Sequence, residues 1–224
     1  MKLIVFDVDG TLIDSQVDIL GSMAASFAAQ NLSPPSDDNV RGIVGLSLPQ
    51  AIERLVPEAS PDICAALVDG YKEVYAKRRS EADKTKSSTF YPGVREMLAH
   101  LAGFDQVLLG VATGNSRRGL DMLLDGHGLR GMFVTEQVAD HHPSKPHPSM
   151  LYQAMADCGV EAADTVMIGD TSFDMEMAAA ANVTGIGVSW GYHPVQRLSS
   201  AKIVIDRIVE LPGTLNQLWG KWHE

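Results

Sequence analysis

Short apolar runs alternate along the chain with stretches whose apolar residues recur every three or four positions. Leu3-Ile4-Val5-Phe6, Val107-Leu108-Leu109-Gly110-Val111-Ala112, Thr165-Val166-Met167-Ile168, Thr184-Gly185-Ile186-Gly187-Val188 and Ile203-Val204-Ile205 are of the first kind. Continuous runs of this kind predict strands covered on both faces. Val94, Met97, Leu98 and Leu101 follow the spacing i, i+3, i+4, i+7, as do Leu151, Ala154, Met155 and Cys158, which predicts helices. Strands alternating with helices predict an α/β fold, a Rossmann-like doubly wound parallel sheet.

That rhythm breaks between residues 15 and 88, where no run reads as a strand. Leu20, Met23, Ala24 and Phe27 form a helical stripe, Pro34-Pro35 interrupts, and Gly42, Gly45 and Pro49 mark a further turn. A long helix is predicted from 61 to about 79, then a polar stretch from 80 to 89, then the turn Tyr91-Pro92-Gly93. The expected organisation is an α/β core of residues 1–14 and 89–224 and an inserted α-helical cap of residues 15–88. Its hinges are expected near 14–15 and 80–89.

A length of 224 residues suits one domain carrying an insertion. Eighteen basic against 28 acidic residues give a formal charge of −10. Such a balance argues against nucleic acid and anionic membranes as partners. If the substrate carries phosphate, local features must attract it or a cation must be recruited. No apolar run approaches the length of a membrane span, and the opening Met1-Lys2 shows no signal-peptide layout, so a cytoplasmic location is expected. Cys64 and Cys158 both fall in apolar helical stripes and read as core. The oligomeric state leaves no trace in the pattern.

Candidate chemistry gathers where the predicted strands end. Phe6-Asp7-Val8-Asp9-Gly10-Thr11-Leu12 places two carboxylates two residues apart after the first strand. The second core strand runs into Thr113-Gly114-Asn115-Ser116, a hydroxyl followed by a turn that suits the start of a helix and a bound anion. Ser144-Lys145-Pro146-His147-Pro148 holds one lysine between residues that restrict the backbone, and His141, His142 and His147 around it read as a polar loop. Ile168-Gly169-Asp170-Thr171-Ser172-Phe173-Asp174 ends another strand, with carboxylates one helical turn apart if the helix has begun, and with Asp170 in the capping place. Open α/β sheets bind ligands at the carboxyl ends of their strands. Four aspartates, a threonine and a lysine gathered there offer hard oxygen ligands for Mg²⁺ and a cation and N–H donors for a phosphate.

These four segments, in this order, resemble the haloacid-dehalogenase-like hydrolase superfamily over nearly the whole chain. The place of the insertion is similar to that of the α-helical-cap subclass. Leu12-Ile13-Asp14-Ser15, Tyr91-Pro92-Gly93-Val94, Lys145-Pro146 and Gly187-Val188-Ser189-Trp190-Gly191-Tyr192 resemble phosphoglycolate-phosphatase-like members. The resemblance implies a Mg²⁺-dependent phosphatase acting on a small phosphorylated metabolite. It implies that Asp7 attacks phosphorus and that Asp9 serves as general acid and then base, its backbone carbonyl also binding the metal. Thr113, Gly114, Asn115 and Lys145 would hold the phosphoryl oxygens. Asp7, Asp9, Asp170 and Asp174 would form the metal site, Asp174 directly or by orienting it. Arg41 and Gly45 are expected in a cap loop that meets the substrate. A sugar phosphomutase, pyrophosphatase or nucleotidase of the same superfamily shares these residues. A dehalogenase does without an acid at the position of Asp9. A phospho-receiver module also uses Asp, Thr and Lys, but it is about half this length and carries its acidic pair on a separate strand.

Overall fold

The structure is a computed structural model and describes residues 1–81 and 88–221. Strand β1 (Lys2–Phe6) is followed by the two-residue β2 (Ile13–Asp14) and β3 (Thr89–Phe90), then by β4 (Val107–Thr113), β5 (Thr135–Val138), β6 (Thr165–Gly169), β7 (Thr184–Val188) and β8 (Ile203–Ile205). Six of them form a parallel sheet in the order β5-β4-β1-β6-β7-β8. After β1 the chain first builds outward through β4 and β5, then crosses back to β6. The strand order therefore reverses beside β1. That is the point where such sheets open a crevice for ligands. Register sharpens this, because Phe6 pairs with Val111 on one side and Ile168 on the other. The residues that follow these three strands emerge together.

Alternation along β1 divides the core into two layers. Ile4 and Phe6 point to the face covered by α5 (Val94–Leu101), α6 (Arg117–His127) and α9 (Leu211–Trp219), through Leu98, Leu101, Leu120, Leu123 and Leu211. Leu3 and Val5 point to the face covered by α7 (Ser149–Cys158) and α8 (Ser172–Ala180), through Leu151, Ala154 and Met177. Both faces of the central strands are dry, which explains their unbroken apolar runs. Edge strand β5 is different. Its sequence Thr-Glu-Gln-Val has no apolar run, and periodicity did not predict it.

The stretch between β2 and β3 is helical: α1 (Gln16–Ala29), α2 (Asp37–Arg41), α3 (Leu48–Leu55) and α4 (Pro61–Glu81). These helices share their own apolar cluster, with Met23, Phe27, Ile52, Leu67 and Tyr75 at its centre. Cys64 packs at its margin and Cys158 beside the α7 layer, both as free thiols. The chain leaves and re-enters the core through the antiparallel β2–β3 ribbon, in which Ile13 faces Phe90 and Asp14 faces Thr89. Two residues are too few to show a period, so this ribbon too escapes prediction. Helix α4 reaches Glu81, past the expected end near 79, and most of the expected hinge at 80–89 lies outside the described residues. Beside it, buried Asp18 of α1 accepts from Ser88 Oγ at 2.9 Å and lies 3.6 Å from Arg79, so the start of α1 and the end of α4 are tied electrostatically. Among the described residues no helix is long and apolar enough to cross a membrane.

Leu98 is almost wholly buried against the sheet. Truncation there leaves a cavity that the close-packed layer cannot fill, so Leu98→Ala is expected to lower stability by about 2–5 kcal/mol in urea titration.

Candidate active site

Asp7 and Asp9 lie in the turn that ends β1. The amides of Leu12 and Ile13 both donate to the carbonyl of Val8, folding the chain back on itself. Gly10 makes the turn with φ +84°, and a β-carbon there would stand 2.2 Å from the Asp170 carboxylate. Only glycine allows both the backbone angle and this approach. Asp170 follows β6, held by Thr11 Oγ1 at 2.9 Å on one oxygen and by the Tyr192 amide at 2.8 Å on the other.

Helix α8 begins at Ser172, and Thr171 rather than Asp170 is its cap. The Thr171 hydroxyl accepts from the Asp174 amide, while Asp174 Oδ2 accepts from the Thr171 amide and hydroxyl at 3.0 and 2.7 Å. This reciprocal pair leaves Asp170 ahead of the helix, so the two aspartates do not share a helical face. They meet because the strand end and the first turn converge.

Lys145 has no exposed surface. Its Nζ lies 2.6 Å from Asp174 Oδ1 and 3.0 Å from Asp7 Oδ1. Burial alone would pull its pKa down, but the Asp174 and Asp7 carboxylates push it up to about 12. The lysine is therefore a permanent cation. Asp7 Oδ1 also accepts from the Val8 amide at 2.7 Å, whereas the buried Asp7 Oδ2 has no hydrogen-bond partner. Burial holds the Asp7 carboxyl well above the usual range despite Lys145, and Asp174, Asp170 and Asp9 add to that rise. Asp170 is pushed up to about 7, first by burial and then by Asp174.

Asp7, Asp170 and Asp174 each offer a carboxylate oxygen within 4.8 Å of the others. Three buried hard oxygens, with one carboxylate oxygen unpartnered and the Asp7 and Asp170 charges disfavoured by burial and by acidic neighbours, suit a small divalent cation. The Asp9 side chain is directed elsewhere. It accepts from Ser15 Oγ and, at 2.6 Å, from the Asn115 side-chain amide. Burial raises its pKa, and those two bonds oppose the rise. Asn115, expected at a phosphate, thus commits its side-chain amide to Asp9. Ser15 in turn touches Tyr192, whose hydroxyl accepts from the Ser15 amide at 3.0 Å.

A cavity of about 320 Å³ lies over these groups. Asp7, Asp9, Thr113, Gly114 and Asn115 line it from the core, and Ile19, Met23, Val44, Gly45, Leu46 and Tyr71 line it from the helical insertion. Gly114 is pressed against the insertion, since a β-carbon there would meet the Leu46 carbonyl at 2.5 Å. Arg41 does not line the cavity. Its guanidinium is taken by Asp38 at 2.6 Å and Gln16 at 2.7 Å, because acidic residues one turn away on its own helix reach it first. His142 is held between Ser149 and Gln137, each at 2.8 Å, and His147 accepts from the Ser149 amide.

Sequence reasoning missed the contacts that hold the insertion over the core. Buried His193 accepts from the Ser172 amide through Nδ1 at 3.1 Å, which leaves Nε2–H to donate to the Gly42 carbonyl at 3.3 Å. Ser144 Oγ accepts from the Ser47 amide at 2.8 Å. The loop carrying Gly45 and Leu46 is therefore gripped at both ends by the core. One signal was available: Ser144 and Tyr192-His193 flank motif residues on the same strand-end loops.

Fold and site together define an α/β protein with a buried acidic centre at a strand-order reversal. The profile of haloacid dehalogenase-like hydrolases matches residues 4–188, and the chain belongs to that family. Within the family it is similar to phosphoglycolate phosphatases. It is 35% identical to a probable phosphatase, IndB, of Dickeya dadantii, over 96% of this chain and 94% of that one. It is 33% identical to a phosphoglycolate phosphatase of Caulobacter vibrioides, over 93% and 88%. Among solved structures, a predicted phosphoglycolate phosphatase from Haemophilus somnus superposes with a TM-score of 0.84 at 23% identity, covering 96% of this chain and 98% of the other. A β-phosphoglucomutase from Clostridium difficile gives 0.81 at 16% identity, covering 97% and 98%. At these identities the two structures speak for the fold.

A carboxyl whose pKa is raised on folding binds its proton more tightly in the native state, so its contribution to stability falls as pH climbs from about 4 to 7. Asp170→Asn removes that penalty. In EDTA the variant is expected to gain stability over the parent between pH 5 and 8, an advantage that grows by at most about 1.4 kcal/mol for each pH step of one, in paired urea titrations.

Proposed function

We propose that this hydrolase is a Mg²⁺-dependent phosphatase that cleaves a small phosphate monoester through an aspartyl-phosphate on Asp7. One observation carries the reading: Asp7 lines the cavity and keeps a buried Oδ2 without a hydrogen-bond partner, while its other oxygen is pinned by Lys145 and the Val8 amide. A carboxylate fixed in this way has one lone-pair face left for attack.

Asp7, Asp170 and Asp174 would hold the ion, with the Asp9 carbonyl as a further oxygen. When bound, Mg²⁺ supplies positive charge that offsets phosphate and carboxylate repulsion. Asp7 Oδ2 attacks phosphorus, the ester P–O bond breaks, and its electron pair leaves on the alcohol oxygen. Asp9, which burial inclines to hold a proton, donates it to that oxygen. Asp9 then takes a proton from water as the water attacks phosphorus and the Asp7–phosphorus bond breaks. Ser15 and Asn115 fix the direction in which Asp9 delivers and receives that proton. Thr113, at the end of β4, and the Gly114 amide beyond it would face the phosphoryl oxygens, the Asn115 amide being donated to the Thr113 hydroxyl, and Lys145 adds charge behind Asp7. The gripped insertion excludes water from the reaction. The alcohol portion is released from the insertion side.

Removal of divalent cations by EDTA is expected to abolish phosphate release and Mg²⁺ to restore it, while Ca²⁺, with looser coordination, inhibits. Full turnover in EDTA would overturn the metal assignment. Asp9→Asn is expected to lose about 10²–10⁴ in steady-state turnover on alkyl phosphates. With p-nitrophenyl phosphate, which needs no acid, it should show one fast turnover and then stall, with a phosphate on Asp7 by mass spectrometry. Asp7→Asn should show neither phase.

A further inference from the structure

The roof of the cavity carries little of the charge that a substrate with a carboxylate beside its phosphate would require. Ile19 and Met23 of α1, Val44 of the gripped loop, Leu48 of α3, Tyr71 of α4 and Met122 of α6 make it apolar. Tyr71 stands on Tyr75 with ring centroids 5.7 Å apart and planes 13° from parallel, so one wall is a flat aromatic stack. Among the lining residues the cations are Lys72 and Arg118, and both are exposed. Exposed cations hold an anion weakly, because water already screens them. The anions in the lining are Asp7, Asp9 and Asp140, so a carboxylate on the substrate, beside its phosphate, would meet like charge and apolar surface together. Lys145 cannot help, since its ammonium is committed to Asp7 and Asp174.

Volume points the same way. The cavity of about 320 Å³ falls at the lower end of the range for pockets that take drug-sized ligands. A phosphoryl group with a two-carbon acid leaves much of that space unfilled. A ring on the leaving group would fill it and bury apolar area against Tyr71 and Met23.

Resting on the phosphatase reading above, we infer that the substrate is a phosphate monoester whose alcohol carries an apolar or aromatic ring and no carboxylate. The preference separates this chain from the substrate named for its phosphoglycolate phosphatase relatives.

Three esters of primary alcohols test it at equal chemistry: 2-phenylethyl phosphate, ethyl phosphate and phosphoglycolate, compared by kcat/KM with Mg²⁺. The phenylethyl ester is expected to exceed ethyl phosphate by roughly 10- to 100-fold, with phosphoglycolate no better than ethyl phosphate. Tyr71→Ala should shrink the first ratio, and Leu48→Arg, which places a cation in the roof, should raise phosphoglycolate relative to both others. Preference for phosphoglycolate in the parent protein, or equal rates on the phenylethyl and ethyl esters, overturns the inference and leaves the phosphatase reading standing. If none of the esters is hydrolysed and Asp7 gains no phosphate, the phosphatase reading fails. Calorimetric binding then decides the inference alone: phenylphosphonate must bind more tightly than phosphonoacetate, and the reverse order overturns it.

Discussion

A fully charged ammonium sits where there is no water, and the rest of the site is arranged around that fact. Lys145 is buried without exposed surface, between Asp174 and Asp7. Desolvating a lysine costs several kcal/mol unless its partners are themselves fixed. Each partner is fixed by a different element. Asp174 is locked by its reciprocal bonds with Thr171 at the head of α8, and Asp7 by the amide that follows it. Loss of either carboxylate would strand the cation, and loss of the cation would strand two carboxylates. This mutual dependence holds the ends of β1 and β6 and the loop before α7 at one spacing, on which the geometry of the nucleophile relies.

The same reasoning explains the acid side of the centre. Asp7 and Asp170 are both driven toward the proton-bearing form by burial. Folding alone therefore leaves the trio short of positive charge, and Lys145 supplies only part of it. Burial raises Asp9 as well, but its carboxylate turns to Ser15 and Asn115, whose bonds oppose that rise. In the proposed reaction, two aspartates separated by a single residue thus take opposite tasks from their surroundings, one to attack and one to exchange protons.

The buried strands and the amphipathic helices were legible because burial on two faces or one imposes distinct periods. Strand β5 and the β2–β3 ribbon were not, the first because an edge strand can be polar, the second because it is two residues long. At the site, Asp7, Asp9, Thr113, Lys145, Asp170 and Asp174 were legible as strand-end residues. Their division of labour came only through the family resemblance, and the contacts that orient each of them were not legible. Asn115 reaches Asp9 across 106 positions and Tyr192 reaches Ser15 across 177, distances at which a single sequence carries no pattern. Arg41 shows the converse error. Its position beside a glycine-rich turn suggested substrate, but Asp38, three residues away, satisfies it locally.

In the proposed reaction, the two bonds that grip the loop of Gly45 and Leu46 act beside the packing of Leu46 and Ala51 on Phe173 to keep the site shut. Both are neutral, from His193 to Gly42 and from Ser47 to Ser144. Neutral hydrogen bonds contribute about 1 kcal/mol each, so on their own they would leave the open form a few per cent populated. A minority of that size is rare enough to keep water out during phosphoryl transfer and common enough for product to escape without a dedicated trigger. The His193 ring is also insulated from acidity. Burial and Arg197 push its pKa down to about 4, so the ring keeps its accepting nitrogen throughout the neutral range. In the proposed reaction this grip would not change with pH in the neutral range, so a pH profile of turnover would report the carboxylates beneath the loop rather than His193.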